Sequence, residues 1–210
     1  LRLYKEQDIW IGFCQKRRFW LQKKENLNIQ FSDNIYSKFL NEVPHEWKNY
    51  NSVLCEPINL TNPKIIKFLK KGWKNFLKDP STIYDKNKQT IKLHFDMFHG
   101  YGKLDQAIDV MHEKDKNEFR DFVNKSTSFN PHIMFIAKPE ILNNWFIDVF
   151  NWLAKCEKIF GFKDLKGYRT KRLYAYLSER YLPFWFKKYS NPIEWPYASF
   201  ETEKDQIFKN

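Results

Sequence analysis

The sequence predicts one α/β domain, because short apolar segments alternate along the chain with longer segments that have the periodicity of amphipathic helices. The chain has 210 residues, which is enough for one domain with a sizeable core. Aromatic residues make up 19% of it, a content that excludes a disordered chain. We predict that the domain covers residues 1–189 and that residues 190–210 form a polar C-terminal tail.

Three apolar segments predict the strands of the sheet. Residues 8–14 read DIWIGFC and are followed by four polar residues, and residues 52–55 are stopped by Pro57. The third segment covers residues 132–137 and reads HIMFIA. Ligands of α/β sheets bind beyond the strand ends, so the polar clusters next to these segments are the candidate sites.

Apolar residues at spacings of three and four predict the helices. The predicted helices begin at Ser32, Pro63, Leu104, Lys116, Pro139 and about Thr170. Gly161 is expected to cap the C-terminus of the fifth helix, and Pro183 is expected to kink or end the sixth. Residues 94–105, which contain two glycines, are predicted to form a loop.

The composition limits the classes of binding partner and the cellular compartment that are expected for this protein. The net charge of +11 and the pI of about 9.4 suit nucleic acid, an anionic membrane face or a phosphate-bearing substrate. Three distant cysteines without a CxxC pair indicate neither a disulfide framework nor a zinc site, which favours the cytoplasm. No apolar run predicts a transmembrane helix. Since the chain begins at Leu1 without a signal-peptide pattern, we expect that upstream residues have been trimmed or that the sequence is a fragment.

A basic cluster follows the first predicted strand. Lys16, Arg17 and Arg18 leave the end of a buried segment, where their side chains could bind a diphosphate. A solvated basic turn is an equally good interpretation of three adjacent cations.

A second cluster lies in the predicted loop. His94, Asp96 and His99 could ligate a divalent metal or hydrogen-bond to sugar hydroxyls. Their spacing matches no standard metal motif, and an ordinary loop with polar side chains remains an alternative.

There are two further candidate pairs, one at the start of the third strand and one in the last helix. Asn130 and His132 lie where the strand is expected to begin, although a lone histidine is more often structural than catalytic. Glu179 and Arg180 interrupt an apolar stretch, and buried charges are tolerated only when they are paired or used. Glu179 could be a general base and Arg180 could bind phosphate, or the two could form an internal ion pair.

Three motifs occur along the chain in a recognisable order. Residues 11–20 read IGFCQKRRFW, residues 131–136 read PHIMFI, and residues 176–185 read YLSERYLPFW and follow Tyr168 and Arg172. Together they resemble the capsular-polysaccharide-type glycosyltransferases, a family long catalogued as a domain of unknown function, whose motifs read IGLCHYRRYF and PHNMFI and whose C-terminal helix is similar to the third. Residues 26–90 resemble this family only loosely.

The resemblance implies a nucleotide-diphospho-sugar transferase fold of the GT-A-like kind, with a mixed sheet flanked by helices. It implies a nucleotide-sugar donor and a surface-polysaccharide or lipid-linked glycan acceptor. Gln15, Lys16 and Ile133 depart from the family motifs, so roles of those side chains elsewhere do not carry over. Family members also have a stretch before the first motif, so the resemblance implies that an N-terminal strand, with part of the donor site, is missing here.

These considerations give a set of expected roles. We expect Lys16, Arg17, Arg18 and Arg180 to bind the donor diphosphate in place of a metal, and Glu179 to activate the acceptor. No cofactor is expected to be required, with Mn²⁺ or Mg²⁺ as the alternative. The residues expected to bind the sugar or the acceptor are His94, Asp96, His99, Asn130 and His132.

The lysine-rich predicted helix over residues 63–78 has two interpretations. It could lie on the anionic inner face of the membrane, which would suit a lipid-linked acceptor, or it could present a solvated face. The protein is otherwise expected in the cytoplasm.

Two alternatives to an active transferase remain at this stage. One is a non-catalytic module that binds carbohydrate or nucleic acid, although no aromatic-basic RNA motif is present and nucleic acid is not expected. The other is a truncated, inactive family member. No GxSxG, GxxxxGK(S/T), GxGxxG or HExxH motif supports a serine hydrolase, a nucleoside triphosphatase or a zinc protease.

Overall fold

The computed structural model describes residues 9–22, 35–61, 73–83, 85–163, 165, 167 and 171–199. The strands are β1 (Ile11–Phe13), β2 (Arg18–Trp20), β3 (Ser52–Cys55), β4 (Ile58–Asn59), β5 (Ser128–Phe129), β6 (Phe135–Ala137), β7 (Pro192–Trp195) and β8 (Tyr197–Ser199). The α-helices are α1 (Trp73–Lys78), α2 (Ile91–His99), α3 (Lys103–Asp109), α4 (Glu113–Lys125), α5 (Pro139–Phe160) and α6 (Leu173–Tyr189). The described residues also form four 3₁₀ helices, Ile35–Lys38, His45–Asn49, Pro80–Ile83 and Lys86–Lys88.

A mixed four-stranded sheet forms the centre of the fold, with the order β1-β6-β3-β7. Strand β6 is antiparallel to β1 and β3, whereas β7 is parallel to β3. The ends of β1, β3 and β7, at Phe13, Cys55 and Trp195, therefore meet at one edge, together with the start of β6. We call this the C-terminal edge of the sheet and the opposite one the N-terminal edge.

The two faces of the sheet belong to two hydrophobic clusters. Leu54 and Phe135 pack in the larger cluster, against residues of α2 to α6. Val53 alternates with Leu54 along β3 and points into the smaller cluster, which contains Trp47 and Trp195. Since helices cover one face and a layer of strands and a 3₁₀ helix covers the other, the predicted α/β fold with a mixed sheet is confirmed.

The prediction of a loop over residues 94–105 is wrong, since α2 and α3 occupy most of it. Thr90 caps α2 by accepting a hydrogen bond from the Leu93 amide. Two glycines with positive φ, Gly100 and Gly102, only separate the helices. The polar residues of α2 obscured its pattern because Asp96 and His99 are themselves buried.

Helices α5 and α6 supply much of the larger cluster. The predicted helix 139–160 is confirmed, and its C-cap is Gly161, as expected. Pro183 was expected to kink or end this helix, and α6 continues past it to Tyr189, so the proline does not end the helix. The residues around it, including Trp185 and Phe186, are fully buried, and such burial outweighs the cost of about 3 kcal/mol for an internal proline.

The prediction of a polar tail from residue 190 is wrong for residues 192–199. Strand β7 joins the central sheet beside β3, and β8 pairs with β2. Trp195 is buried, and its indole N–H donates to the Leu21 carbonyl at 2.7 Å. Ile193, Trp195 and Tyr197 alternate with polar or small residues, but the two strands are too short for this period to stand out.

Two predicted helices lie partly outside the described residues. For the helix predicted from Ser32, the structure describes a 3₁₀ helix over Ile35–Lys38. For the helix predicted over 63–78, it describes α1, in which Trp73 is 52% exposed rather than packed in an apolar stripe. Within the described part of the chain, no helix has the length and apolar character needed to cross a bilayer.

Candidate functional site

Four segments bring polar side chains to the C-terminal edge of the sheet. The turn after β1 carries the basic cluster, and the segment before β6 carries His132. Helix α6 contributes Glu179 and Arg180, and α2 places His94 behind them. The sheet topology thus unites residues that are more than 80 positions apart in the chain.

The basic cluster forms a tight turn in which the three cations differ. The Arg18 amide donates to the Gln15 carbonyl at 3.0 Å, and Arg17 adopts a positive φ of 67°. Lys16 and Arg17 are exposed, whereas Arg18 is half-buried and donates to the Gln15 side chain at 3.0 Å. Arg18 therefore has a defined position, while its two neighbours face solvent.

His132 is held by Glu179. The His132 backbone has a φ of 69°, which is uncommon for a non-glycine residue, and its amide donates to Oε1 of Glu179 at 2.7 Å. Its Nδ1 lies 3.7 Å from the same oxygen, too far for a hydrogen bond. The His132 side chain is 20% exposed, and no hydrogen bond from a described residue to its Nε2 is found.

Arg180 supports Glu179 from the protein interior. Its side chain is 2% exposed and donates to Oε2 of Glu179 at 2.6 Å. The guanidinium also lies 3.3 Å from Nδ1 of His94 and 4.0 Å from the centre of the Phe129 ring. These contacts contradict the expectation that Arg180 binds the donor diphosphate, because a guanidinium enclosed in this way presents no surface to a ligand.

The electrostatics of the site favour a neutral imidazole beside an ionised carboxylate. Burial, together with the Arg18 and Arg180 guanidinium groups, lowers the pKa of His132 to about 4, although Glu179 acts in the opposite direction. Burial raises the pKa of Glu179, but Arg180 and the His132 amide outweigh it, so the net pKa lies below the ordinary value. A carboxylate that is stabilised in this way is a weak base, and its contacts fit a positioning role better than the expected base role.

The three candidates on α2 do not form one site. At about 100° per residue, residue 94 lies about 160° from residue 96 and about 140° from residue 99 around the helix, whereas residues 96 and 99 are about 60° apart. Asp96 accepts from Lys92 and from the Gly102 amide, which fixes the start of α3, and His99 stacks on Tyr176 at 3.6 Å. Only His94 reaches the cluster around Glu179. Within the described ranges, no group of three or more potential ligands could hold a metal ion.

Asn130 is buried beneath the site instead of lining it. Its side-chain amide donates to the Cys55 carbonyl at 2.7 Å and to Glu194 at 2.9 Å. It is 0% exposed, so it cannot contact a sugar in this conformation. Asn130 connects the ends of β3 and β7 and thereby supports the position of His132 two residues later.

Sequence reasoning missed two residues of the site. The Tyr197 ring packs edge-on against His132 at 5.4 Å, and Glu194 pairs with Lys187 at 3.1 Å. Both Tyr197 and Glu194 belong to the segment that was predicted to be a tail. The period-two alternation of residues 193–197 was the signal that could have identified them.

Two partly buried histidines, His132 and His94, make the fold sensitive to acid. Burial also lowers the pKa of His94, to about 3, from 6.5. Because the unfolded chain binds these protons more readily, this stability is present above about pH 6.5 and is lost progressively as the pH falls from there towards the folded pKa values of about 4 for His132 and about 3 for His94. Between pH 7 and pH 5 we expect a loss of about 2 kcal/mol per imidazole in the free energy of unfolding, measured by urea denaturation. His94→Gln should reduce this dependence of stability on pH, whereas the control His45→Gln, at an exposed position, should not. Equal dependences of unfolding free energy on pH in the wild type and both variants would contradict the role given to His94.

A solved structure has a similar fold. The apo structure of the bifunctional glycosyltransferase WbbM matches 94% of this chain with a TM-score of 0.66 and 14% sequence identity. This chain corresponds to only 34% of the length of that chain. The similarity shows the fold: an α/β domain of the GT-A-like kind, as expected. In a comparison with curated proteins, none matches this sequence.

The sequence also defines a family. Residues 2–191 match the family model described as a domain of unknown function, DUF4422. Because this match covers nearly the whole chain, the protein belongs to the DUF4422 family. The expected resemblance to a family catalogued under such a description is confirmed at this level.

Proposed function

We propose that this protein is a glycosyltransferase that moves a sugar from a nucleotide-sugar donor to a surface-polysaccharide or lipid-linked glycan acceptor. The observation that carries the proposal is the convergence of Arg18, His132 and Glu179 at the C-terminal edge of the sheet. Ligands of open α/β sheets bind at this edge. A cation, a neutral imidazole and a carboxylate are the groups needed to bind a diphosphate and activate a hydroxyl.

In this proposal the basic turn binds the donor. Arg18 is positioned by Gln15, and its guanidinium can donate two hydrogen bonds to diphosphate oxygens. Lys16 and Arg17 are exposed in the same turn and add positive charge. These cations would stabilise the leaving nucleoside diphosphate without a metal ion. Activity that requires Mn²⁺ or Mg²⁺ and is abolished by a chelator would contradict this part of the proposal.

His132 and Glu179 would act on the acceptor. In a direct displacement, Nε2 of His132 takes the proton of the acceptor hydroxyl while that oxygen bonds to the anomeric carbon. The bond from this carbon to the diphosphate breaks, and its electron pair leaves with the nucleoside diphosphate. Glu179 holds the His132 backbone and stabilises the imidazolium that forms. The bound diphosphate would partly neutralise Arg18 and so remove one of the causes that lower the pKa of His132, whereas burial, the largest cause, would remain.

The acceptor class and the place of action rest on sequence resemblance and charge. We propose a cytoplasmic enzyme of polysaccharide biosynthesis, with peripheral contact between residues 63–78 and an anionic membrane. Most of that segment lies outside the described residues, so its lysine content is the support for the membrane contact.

Calorimetric titration with UDP, and then with the other nucleoside diphosphates, tests the donor site. We expect at least one of them to bind, and Arg18→Gln to weaken that binding by at least about tenfold, because a charge-assisted hydrogen bond contributes about 1.5–3 kcal/mol. Arg120→Gln is the matched control, since it removes one cation from a surface pair with Asp109. The proposal fails if no nucleoside diphosphate binds or if the two variants lose the same affinity.

A further inference from the structure

Exposed apolar side chains and lysines lie together at the C-terminal end of α5. Ile159 is 47% exposed, and Phe162, just beyond the last turn, is 62% exposed. Lys155, Lys158 and Lys163 are exposed in the same segment, and none of the three forms an ion pair with a carboxylate in the described part of the chain. Exposed apolar residues that occur singly are normal, whereas apolar groups with a polar rim indicate a surface for a protein or a membrane.

This surface continues across the turn between α2 and α3 to α1. The Lys103 ammonium lies 5.5 Å from the centre of the Phe160 ring. On the other side of the turn, the Lys78 ammonium lies 5.2 Å from the centre of the Tyr101 ring. Leu77, next to Lys78, is 69% exposed. Three segments that are distant in the chain therefore form one surface, which we call the basic end surface and define by residues 77–78, 103 and 155–163.

The basic end surface lies at the same end of the molecule as the candidate active site. Helix α5 starts at Pro139, directly beyond the N-terminal edge of the sheet, and therefore runs back towards the C-terminal edge. Past its end, Phe162 packs against Tyr174 near the start of α6, with ring centres 5.1 Å apart. Tyr174 precedes Glu179 by five residues of α6, which is about 7.5 Å along a helix. Docking through this surface would hold the candidate site close to the docking partner.

The chemistry of the surface fits an anionic lipid bilayer. Lysine ammonium groups bind lipid phosphates and add about fivefold each to membrane affinity, while apolar side chains enter the boundary between headgroups and acyl chains. A single strand of nucleic acid would use the charges but would leave aliphatic side chains such as Leu77 and Ile159 in water. A protein partner fits less well, because lysine is depleted from protein–protein interfaces.

We propose that the basic end surface docks this protein on an anionic membrane. Ile159 and Phe162 insert between the lipid headgroups, and Lys155, Lys158 and Lys163 bind the lipid phosphates. The contact is made by α5 and the turn between α2 and α3, and it brings the candidate active site to the membrane. Access to a lipid-linked acceptor in this orientation rests on the proposed function, whereas lipid binding rests on the surface itself.

Vesicle co-sedimentation of the full chain tests the choice of partner. We expect binding to vesicles of equimolar phosphatidylcholine and phosphatidylglycerol, at least about tenfold weaker binding to phosphatidylcholine alone, and an affinity that falls as salt is added. Absence of binding to the mixed vesicles, or equal binding to both kinds, would overturn the proposal. Binding to oligothymidylate without binding to vesicles would assign the surface to nucleic acid and would also overturn it.

Matched apolar variants locate the contact on the surface. Ile159→Ser with Phe162→Ser should weaken binding to the mixed vesicles by at least about fivefold, because the inserted side chains are removed. The control is Ile147→Ser with Phe150→Ser, which changes side chains of the same helix that are 52% and 58% exposed but lie nearer its start. Equal losses in the two double variants would overturn the proposal.

Matched lysine variants test the charge. Lys158→Gln with Lys163→Gln should weaken binding to the mixed vesicles by at least about tenfold. Lys116→Gln with Lys125→Gln removes the same charge from surface positions on α4 and should change it little. Equal losses would show non-specific attraction between the basic protein and the vesicles, which contradicts a defined docking surface.

Nucleoside diphosphate binding, measured by calorimetry on the same proteins, separates this inference from the proposed function. The serine and glutamine variants of the basic end surface should keep the nucleoside diphosphate affinity of the wild type while they lose vesicle binding. Vesicle binding by a wild type that binds no nucleoside diphosphate would contradict the proposed function and support the docking surface. Nucleoside diphosphate binding without vesicle binding would overturn the docking surface alone.

Discussion

Replacing His132 by asparagine should lower kcat for sugar transfer by about 10²–10⁴-fold, the range that is typical for loss of a general base. The affinity for the nucleoside diphosphate should remain close to that of the wild type, because Arg18 is unchanged. Asparagine is the replacement of choice because it tolerates the positive φ of 69° at this position and can still donate its amide to Glu179. Steady-state kinetics with the donor that calorimetry identifies would measure the effect.

Glu179→Gln separates the two possible bases at this site. The glutamine retains an oxygen that can accept from the His132 amide but lacks the charge that stabilises the imidazolium. We therefore expect a smaller loss of kcat than for His132→Asn, with a changed pH profile. If Glu179→Gln abolishes transfer and His132→Asn retains it, then Glu179 is the base, as the sequence alone suggested.

Replacing Arg180 by methionine should reduce the free energy of unfolding by about 3–5 kcal/mol. The side chain is 2% exposed and its partner Glu179 is 15% exposed, so the substitution leaves a largely buried carboxylate without its cation. His94 and Phe129 lose a contact at the same time. Denaturation in urea at pH 7 would measure the loss.

Two further variants test the cause of this loss. Arg120→Met removes a cation from a pair with Asp109 whose side chains are 34% and 64% exposed, and it should cost less than about 1 kcal/mol. Combining Arg180→Met with Glu179→Gln should recover part of the stability, because the buried charge is then absent. Two results would contradict the ion-pair explanation. One is a loss of unfolding free energy in Arg180→Met that is no larger than in Arg120→Met. The other is a double variant in which the losses of Arg180→Met and Glu179→Gln simply add.

Local patterns identified the helices well where an apolar stripe was long. Helix α5 has 22 residues, a proline near its start and a glycine at its C-cap, and all three features were visible in the sequence. In α2, by contrast, Asp96 and His99 are buried through contacts with Lys92, the Gly102 amide and Tyr176. Periodicity records which residues are apolar, whereas burial of these polar residues depends on partners from other positions.

The sequence by itself determined that this protein has a mixed α/β fold, and it identified the basic turn, the segment before β6 and the Glu179–Arg180 pair as the places to look for chemistry. Only the tertiary structure decided which of these residues face the candidate site and which support it from the interior. Arg18 and His132 face the candidate site, Glu179 holds His132, and Arg180 and Asn130 support them from the interior. The exposure and pairing of these residues depend on the order and direction of the strands, which bring segments between residues 15 and 197 to one edge of the sheet. The spacing of residues along the chain does not encode this arrangement.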